Sequence, residues 1–448
     1  MKKTLMALAV GSAFVAPAAF ADVTISGSIN MGVEYLNVGE ESTTFATKAA
    51  PFVGGNGTPH AGVGNVGVAS NYTNITIASM EDLGGGLKLD FAAQIDWNTT
   101  AAGNSTGATL GNRNSHIGLV GESWGGVWYG SNENIYERYF YTQDPLDGAA
   151  GLGGNLQIMG TPGGAVFTTC GKGSTTGGFD PTTGLSSINA TCGYTWYRRD
   201  AQAIWYDSPN WNGFTFGAAV QTDFDKSAYP NSSINPWMFQ IGAKYVGTSL
   251  PLQAWGAYGY RKDQFGLVNF IGTYVTAINQ GAPAGSAIAT NGTTFAGGPG
   301  SKDKAFQLGA GYTLGDVYFF GVYEQIKYDL ENVAAGYQDW KRNAYQIGVK
   351  WNLASGYVGA SWMQALDASC TFVGAGPANF GCEDTGAYSI GVGYYHTMSK
   401  QTQLYVVGSW LDNQDQGNYG TAGIGNSASF KNVGATYWGA GVGIKHSF

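Results

Sequence analysis

The sequence predicts an all-β protein, a 16-stranded antiparallel transmembrane β-barrel. Three observations predict it. Apolar and polar residues alternate with period two along most of the chain, while helical periodicity is scarce. Short turns and long Gly/Ser/Thr/Asn-rich loops follow one another between those alternating stretches. The composition is wrong for a soluble domain: charged residues are only 12%, where about 25% is usual, against 14% aromatic residues and 71 glycines.

The first residues, MKKTLMALAVGSAFVAPAAFA, carry a basic pair (Lys2, Lys3), a short apolar run and a small-x-small site at Ala19–Ala21. That order is the pattern of an export signal over residues 1–21, leaving 22–448 as one barrel domain. Without the two lysines, 20 basic residues face 30 acidic ones, a net charge near −10 that argues against nucleic acid as a partner.

Four stretches show the alternation cleanly. In VTISGSINMGVEYL, Val23, Ile25, Ile29, Met31 and Val33 oppose Thr24, Ser26, Ser28, Asn30 and Glu34. In LKLDFAAQIDW, Leu87, Leu89, Phe91 and Ile95 oppose Lys88, Asp90, Gln94 and Asp96. WMFQIGAKYV and AYQIGVKW repeat the device with Gln240, Lys244, Gln346 and Lys350 on the polar face. VYFFGVYEQIKY has aromatics on both faces, so its register stays open.

Turn residues at 81–86, 122–126, 208–213, 247–249, 314–316, 353–356 and 399–401 mark one end of the barrel. Long segments around 37–68, 99–112, 131–196, 262–302, 368–385 and 413–431 mark the other. In a bilayer every backbone N–H and C=O needs a protein partner, so such a sheet must close. The glycines and hydroxyls of the polar face are expected to line water rather than a packed core. Cys170 with Cys192, and Cys370 with Cys382, form close pairs that read as local disulfides in an exported chain. The four histidines are scattered, and neither a metal-ligand spacing nor a phosphate loop is present. Neither a cofactor nor an enzymatic role is expected.

MEDLGGGLK (80–88), DVTISGSINMGVEY, NRNSHIGLVGESWGGVWYG, RRDAQAIWYDSPNWNGFTFGAAVQ and the closing GVGIKHSF occur in an order that resembles the general diffusion porins of Gram-negative outer membranes, of the neisserial and β-proteobacterial type. The resemblance implies a homotrimer of water-filled channels for ions and small hydrophilic solutes, each narrowed by a third loop folded inward. It also implies a setting of outer-membrane lipid and lipopolysaccharide. The terminal Phe448 would serve as the signal read by the outer-membrane barrel assembly machinery.

The third loop would be 131–196, where Glu133, Glu137, Asp144 and Asp147 offer an acidic lining, and where some of these carboxylates would instead satisfy loop backbone N–H groups. The facing wall would carry Lys88, Arg198 and Arg199 against Glu34, Asp90 and Asp96. Several positions where such porins place basic residues hold Asn74, Ala78, Val120, Ser131 and Trp205. That balance predicts a negative potential in the lumen and cation preference. Tyr136, Tyr139, Phe140, Tyr141 and Trp205 either pack the loop against the wall or line a route for aromatic, amphipathic solutes.

Overall fold

The computed structural model describes residues 22–44, 61–71, 73–96, 113–141, 143–146, 152–163, 196–197, 199–222, 235, 237–262, 298–331, 336–373, 382–420 and 432–448. The segment 1–21 lies outside them. All strand pairings are antiparallel, and the sheet has 18 segments. Two pairs of segments are halves of one strand. Val63–Ser70 and Asn74–Gly84 both lie along Asp22–Val38. Gly356–Ala365 and Ser369–Val373 both lie along Gly336–Leu353. Eighteen segments less two leaves the predicted 16 strands.

The sheet closes where Asp22–Val38 meets Thr436–Ser447, in register from Ser28↔Ser447 to Val38↔Tyr437. Phe448 completes the seam: its N–H donates to Gly27 O at 3.1 Å, and its carbonyl accepts from Gly27 N–H at 3.0 Å. No edge among these strands is left to meet lipid, which is what the hydrocarbon demands. Trp438, Val442, Ile444 and Phe448 face outward, as their parity predicts, and Gly439, Gly441, Gly443 and Lys445 face inward.

All seven predicted turns fall at the short-turn end. At EDLGGG three consecutive residues, Gly84, Gly85 and Gly86, take φ of 85°, 64° and 81°, a left-handed run that only glycine adopts without strain. At the opposite end the sequence misplaced some boundaries. Gly298–Leu314, Val317–Glu331 and Gly336–Leu353 run 17, 15 and 18 residues, well beyond the roughly 9–11 that span a bilayer. Part of the expected 262–302 loop is therefore strand, and the connection after Glu331 is short. Lys- and Asp-rich sequence marks contact with water, not the end of a ladder.

The register left open in VYFFGVYEQIKY is now set. Phe320, Val322, Glu324, Ile326 and Tyr328 point inward and are buried, while Phe319 points out. Both faces are apolar because both touch something apolar: lipid outside, and the inward loop inside. The barrel interior thus holds a packed core built on Ile135, Leu146, Leu152, Ile158 and Met159 of that loop. The expectation that inward glycines line water is corrected accordingly. A Cβ on Gly391 would stand 2.5 Å from Leu146 Cδ1, and one on Gly439 would stand 2.8 Å from Leu152 Cδ2. These glycines let the loop lie against the wall.

Candidate functional site

The inward loop begins with the helix Ile135–Tyr141, and its start is dictated locally. Asn134 Oδ1 accepts the Glu137 N–H at 2.7 Å, the usual N-cap bond to an otherwise orphaned donor. The same side chain donates from Nδ2 to Trp196 O at 2.9 Å, tying the loop's two ends together. Beyond the helix, Asn155–Gln157 makes one 3-10 turn.

Charged and hydroxyl groups pin this loop to the wall. Arg138 donates to both carboxylate oxygens of Asp207, at 2.8 and 2.9 Å. Fully buried Glu324 is the principal anchor: it accepts the Tyr136 hydroxyl at 2.8 Å, the Gly160 N–H at 2.8 Å and Arg342 Nη1 at 2.7 Å. Arg342 in turn donates to Ile158 O at 2.9 Å and to Thr161 O. Tyr419 donates to Pro162 O at 2.8 Å, and Tyr318 to Gln143 Oε1 at 2.8 Å. Arg261 lies 3.8 Å over the Trp196 ring. Sequence reasoning singled out neither Glu324 nor Arg342. The one available signal was a carboxylate interrupting an aromatic strand, and its meaning depends on the register.

The acidic residues expected to line the loop are mostly occupied. Glu133 Oε1 accepts from Arg199 Nη2 at 2.8 Å, and Asn114 Oδ1 bridges the Glu133 N–H and Arg199 Nε. Asp144 accepts the N–H groups of Leu146 and Asn155, at 3.0 and 3.3 Å. Asp147, Arg198, Cys170 and Cys192 lie outside the described residues. Cys370 and Cys382 form a disulfide with their Cα atoms 5.9 Å apart.

Glu137 is held largely protonated near neutrality. Burial first, and then the neighbouring Glu133 charge, push its carboxyl up to about 8, with Arg199 opposing them. Because the folded loop binds this proton more tightly than an unfolded chain, stability falls as pH rises between the ordinary carboxylate value and about 8. Open-channel current noise is therefore expected to grow as pH is raised from 5 to 9, and Glu137→Gln should flatten that dependence. An unchanged pH profile in the variant would show that Glu137 is not the group responsible.

On the wall, Glu34 is fully buried and accepts from Asn71 Nδ2 at 2.7 Å, where the second strand breaks. Asp90 accepts the Trp128 Nε1–H at 2.7 Å, and His116 Nε2 lies 3.3 Å from the same oxygen. The backbone of Asp96 pairs with Asn74. Arg113 donates from Nε to inward Gln94 at 3.2 Å. Lys88 faces inward, half-buried, with no ion pair among the described residues.

The loop does not fill the barrel evenly. It lies on the strands from 214 to 443, most of whose inward residues are buried. The inward residues of the strands from 74 to 128, among them Thr76, Lys88, Asp90, Gln94 and His116, remain partly exposed. This geometry removes part of the support for a negative lumen. Counting carboxylates overstates the field, because Glu133 is ion-paired with Arg199 and Glu137 is raised. Trp205 is buried, stacked with Trp128 at 6.2 Å, and Tyr136 and Tyr139 pack the loop inward.

Comparison with known proteins agrees with this architecture. The chain is 26% identical to an outer membrane porin protein of Bordetella pertussis, over 100% of both chains. It is 27% identical to outer membrane porin protein 32 of Delftia acidovorans, again over 100% of both. Among solved structures, an anion-selective porin from Comamonas acidovorans superposes with a TM-score of 0.61 at 20% identity, covering 96% of this chain and 100% of that one. An outer membrane protein of Vibrio cholerae superposes with a TM-score of 0.54 at 12% identity, covering 97% and 99%. A model of the Gram-negative porin family matches residues 4–416. With a closed 16-stranded barrel and a loop folded into it, this chain belongs to the Gram-negative porin family.

Proposed function

We propose that the protein is a passive diffusion channel for ions and small hydrophilic solutes with little charge selectivity, working as a homotrimer. It is an outer-membrane porin, a multi-pass β-barrel of the bacterial outer membrane. The observation that carries the selectivity reading is the one-sided seating of the inward loop. It leaves a wall of hydroxyls, amides and few charges, on which Lys88 has no ion pair among the described residues while Asp90 is bonded to Trp128. Glu133, paired with Arg199, and Glu137, held protonated, border the narrowing together with Asp144. Small solutes meet neighbours that can replace their hydration without holding them. A channel dedicated to aromatic solutes lacks support, since Trp205, Tyr136 and Tyr139 are used in packing.

Reversal potentials across a salt gradient in planar bilayers test this. Wild-type channels are expected to show cation and anion permeabilities within a few-fold of each other, and Lys88→Glu is expected to shift the reversal potential toward cations. A strong cation preference in the wild type would overturn the reading, as would a Lys88→Glu channel with unaltered selectivity. Conductance rising linearly with salt would separate a sieve from a channel that saturates on one solute.

A further inference from the structure

The outer surface carries a lysine cluster that the channel does not use. Lys304, Lys327 and Lys341 stand directly opposite one another on three adjacent strands, Lys304↔Lys327 and Lys327↔Lys341. All three lie on the outward parity, because Asp303, Ile326 and Arg342 beside them are buried inside. One step nearer the loops, Lys262 stands opposite Lys302. Five of the chain's 22 basic residues thus share one outward patch on four neighbouring strands.

Like charges directly opposite across a ladder are destabilising. The patch relieves this only in part. Asp329 bridges Lys304 and Lys327, at 2.9 and 2.6 Å, and Glu331 lies 3.8 Å from Lys302. Asp339 stands opposite Asp329 rather than opposite a lysine, and Lys341 has no ion pair among the described residues. Three lysines against Asp329 and Asp339, with Lys262 and Lys302 against Glu331, keep an excess of positive charge.

Height gives that excess its meaning. From Leu314 at the short-turn end, the strand climbs ten residues to Lys304. At about 3.4 Å per residue and a tilt near 40°, that is roughly 26 Å along the membrane normal, the height of the apolar band of such barrels. An outward aromatic belt lies just below and beside the lysines: Phe306 against Tyr323 at 6.4 Å, Tyr323 against Tyr345 at 5.4 Å, and Trp237 against Tyr260 at 5.1 Å. Belts of this kind sit at the membrane–water interface. The lysines therefore emerge at the level of lipid headgroups, their apolar stems against the belt and their ammonium groups beyond it.

We infer that this patch is a binding site for the phosphate groups of an outer-leaflet lipid, with Lys304, Lys327 and Lys341 as its base and Lys262 and Lys302 as its upper edge. Headgroup phosphates would supply the negative charge that the register omits. The inference rests on the outer-membrane reading above, but not on the channel's selectivity.

The test uses the full-length folded protein in detergent, titrated with bisphosphorylated lipid A and followed by native mass spectrometry. Lys304→Gln/Lys327→Gln/Lys341→Gln is expected to bind the lipid about tenfold or more weakly than the wild type, and the matching triple Arg variant to retain binding. Equal binding by the Gln variant would overturn the proposal. So would equally tight binding of lipid A stripped of its phosphates, which would assign the contact to acyl chains. Competition by inorganic phosphate at the lipid's own concentration would overturn the lipid as source. Single-channel conductance of the Gln variant, unchanged because these side chains face away from the lumen, reports folding and channel function separately from the patch.

Discussion

Glu324→Ala is expected to release the inward loop, raising single-channel conductance and adding large current fluctuations while the barrel still closes. The reason is concentration of function in one side chain. Glu324 alone accepts the Tyr136 hydroxyl, the Gly160 N–H and Arg342. Removing it leaves a guanidinium buried without its counter-charge beside two orphaned donors. Breaking such a pair from one side costs about 3–5 kcal/mol, whereas replacing both partners by apolar groups of similar volume is often neutral. Arg342→Met should therefore loosen the loop as Glu324→Ala does. Glu324→Leu combined with Arg342→Met should be less disturbed than either single change. Planar-bilayer recording of the three variants, with heat-modifiable gel migration as the folding control, decides it. Wild-type conductance and noise in Glu324→Ala would mean that Arg138–Asp207 and the packed apolar residues hold the loop unaided.

The second large effect belongs to the chain's last residue. Deletion of Phe448 is expected to lower the yield of folded, heat-modifiable barrel severalfold without altering the conductance of the molecules that do insert. The two backbone hydrogen bonds between Phe448 and Gly27 end the closing seam, and the ring faces outward at the rim. Without them Gly27 N–H and C=O face the membrane boundary unpaired, and such groups are costly where water is scarce. Phe448→Ala separates the two contributions: it keeps the seam hydrogen bonds and removes the aromatic ring that the assembly machinery would read. A loss in Phe448→Ala as deep as in the deletion assigns the effect to the ring. A normal yield of both variants would remove Phe448 from any role in closure or assembly.

The wall and the loop differed sharply in how much their residues disclosed. Strands such as Leu87–Asp96 and Thr436–Ser447 were legible because lipid and lumen impose opposite chemistry on alternate residues. One correct outward residue then fixes every other. Val317–Glu331 was illegible for the same physical reason reversed: its inner face meets Tyr136, Met159 and their neighbours rather than water, so the alternation vanished. The strand lengths at the loop end were hidden because, above the bilayer, both faces may be polar while the ladder continues.

The acidic rim shows a different kind of gap. Glu133 and Glu137 were found as residues, but their charges were misjudged, because a formal charge says nothing about its partners. Arg199 pairs with Glu133, and burial together with the Glu133 charge holds a proton on Glu137. Glu324 and Arg342 were missed altogether. They are 18 residues apart in sequence, Glu324 is 188 residues from Tyr136, and nothing local records so distant a contact.

By itself, then, the sequence determined the closed antiparallel barrel, its 16 strands, the end that carries short turns and the face each clean strand shows to lipid. These follow from a period-two pattern that every residue repeats and from backbone hydrogen bonding that hydrocarbon makes obligatory. Only the tertiary structure decided which side of the lumen the loop occupies, which carboxylates keep their charge, and where outward lysines line up across strands. Those properties depend on contacts between distant residues, and a pairwise electrostatic or packing energy exists only once the fold has brought its partners together.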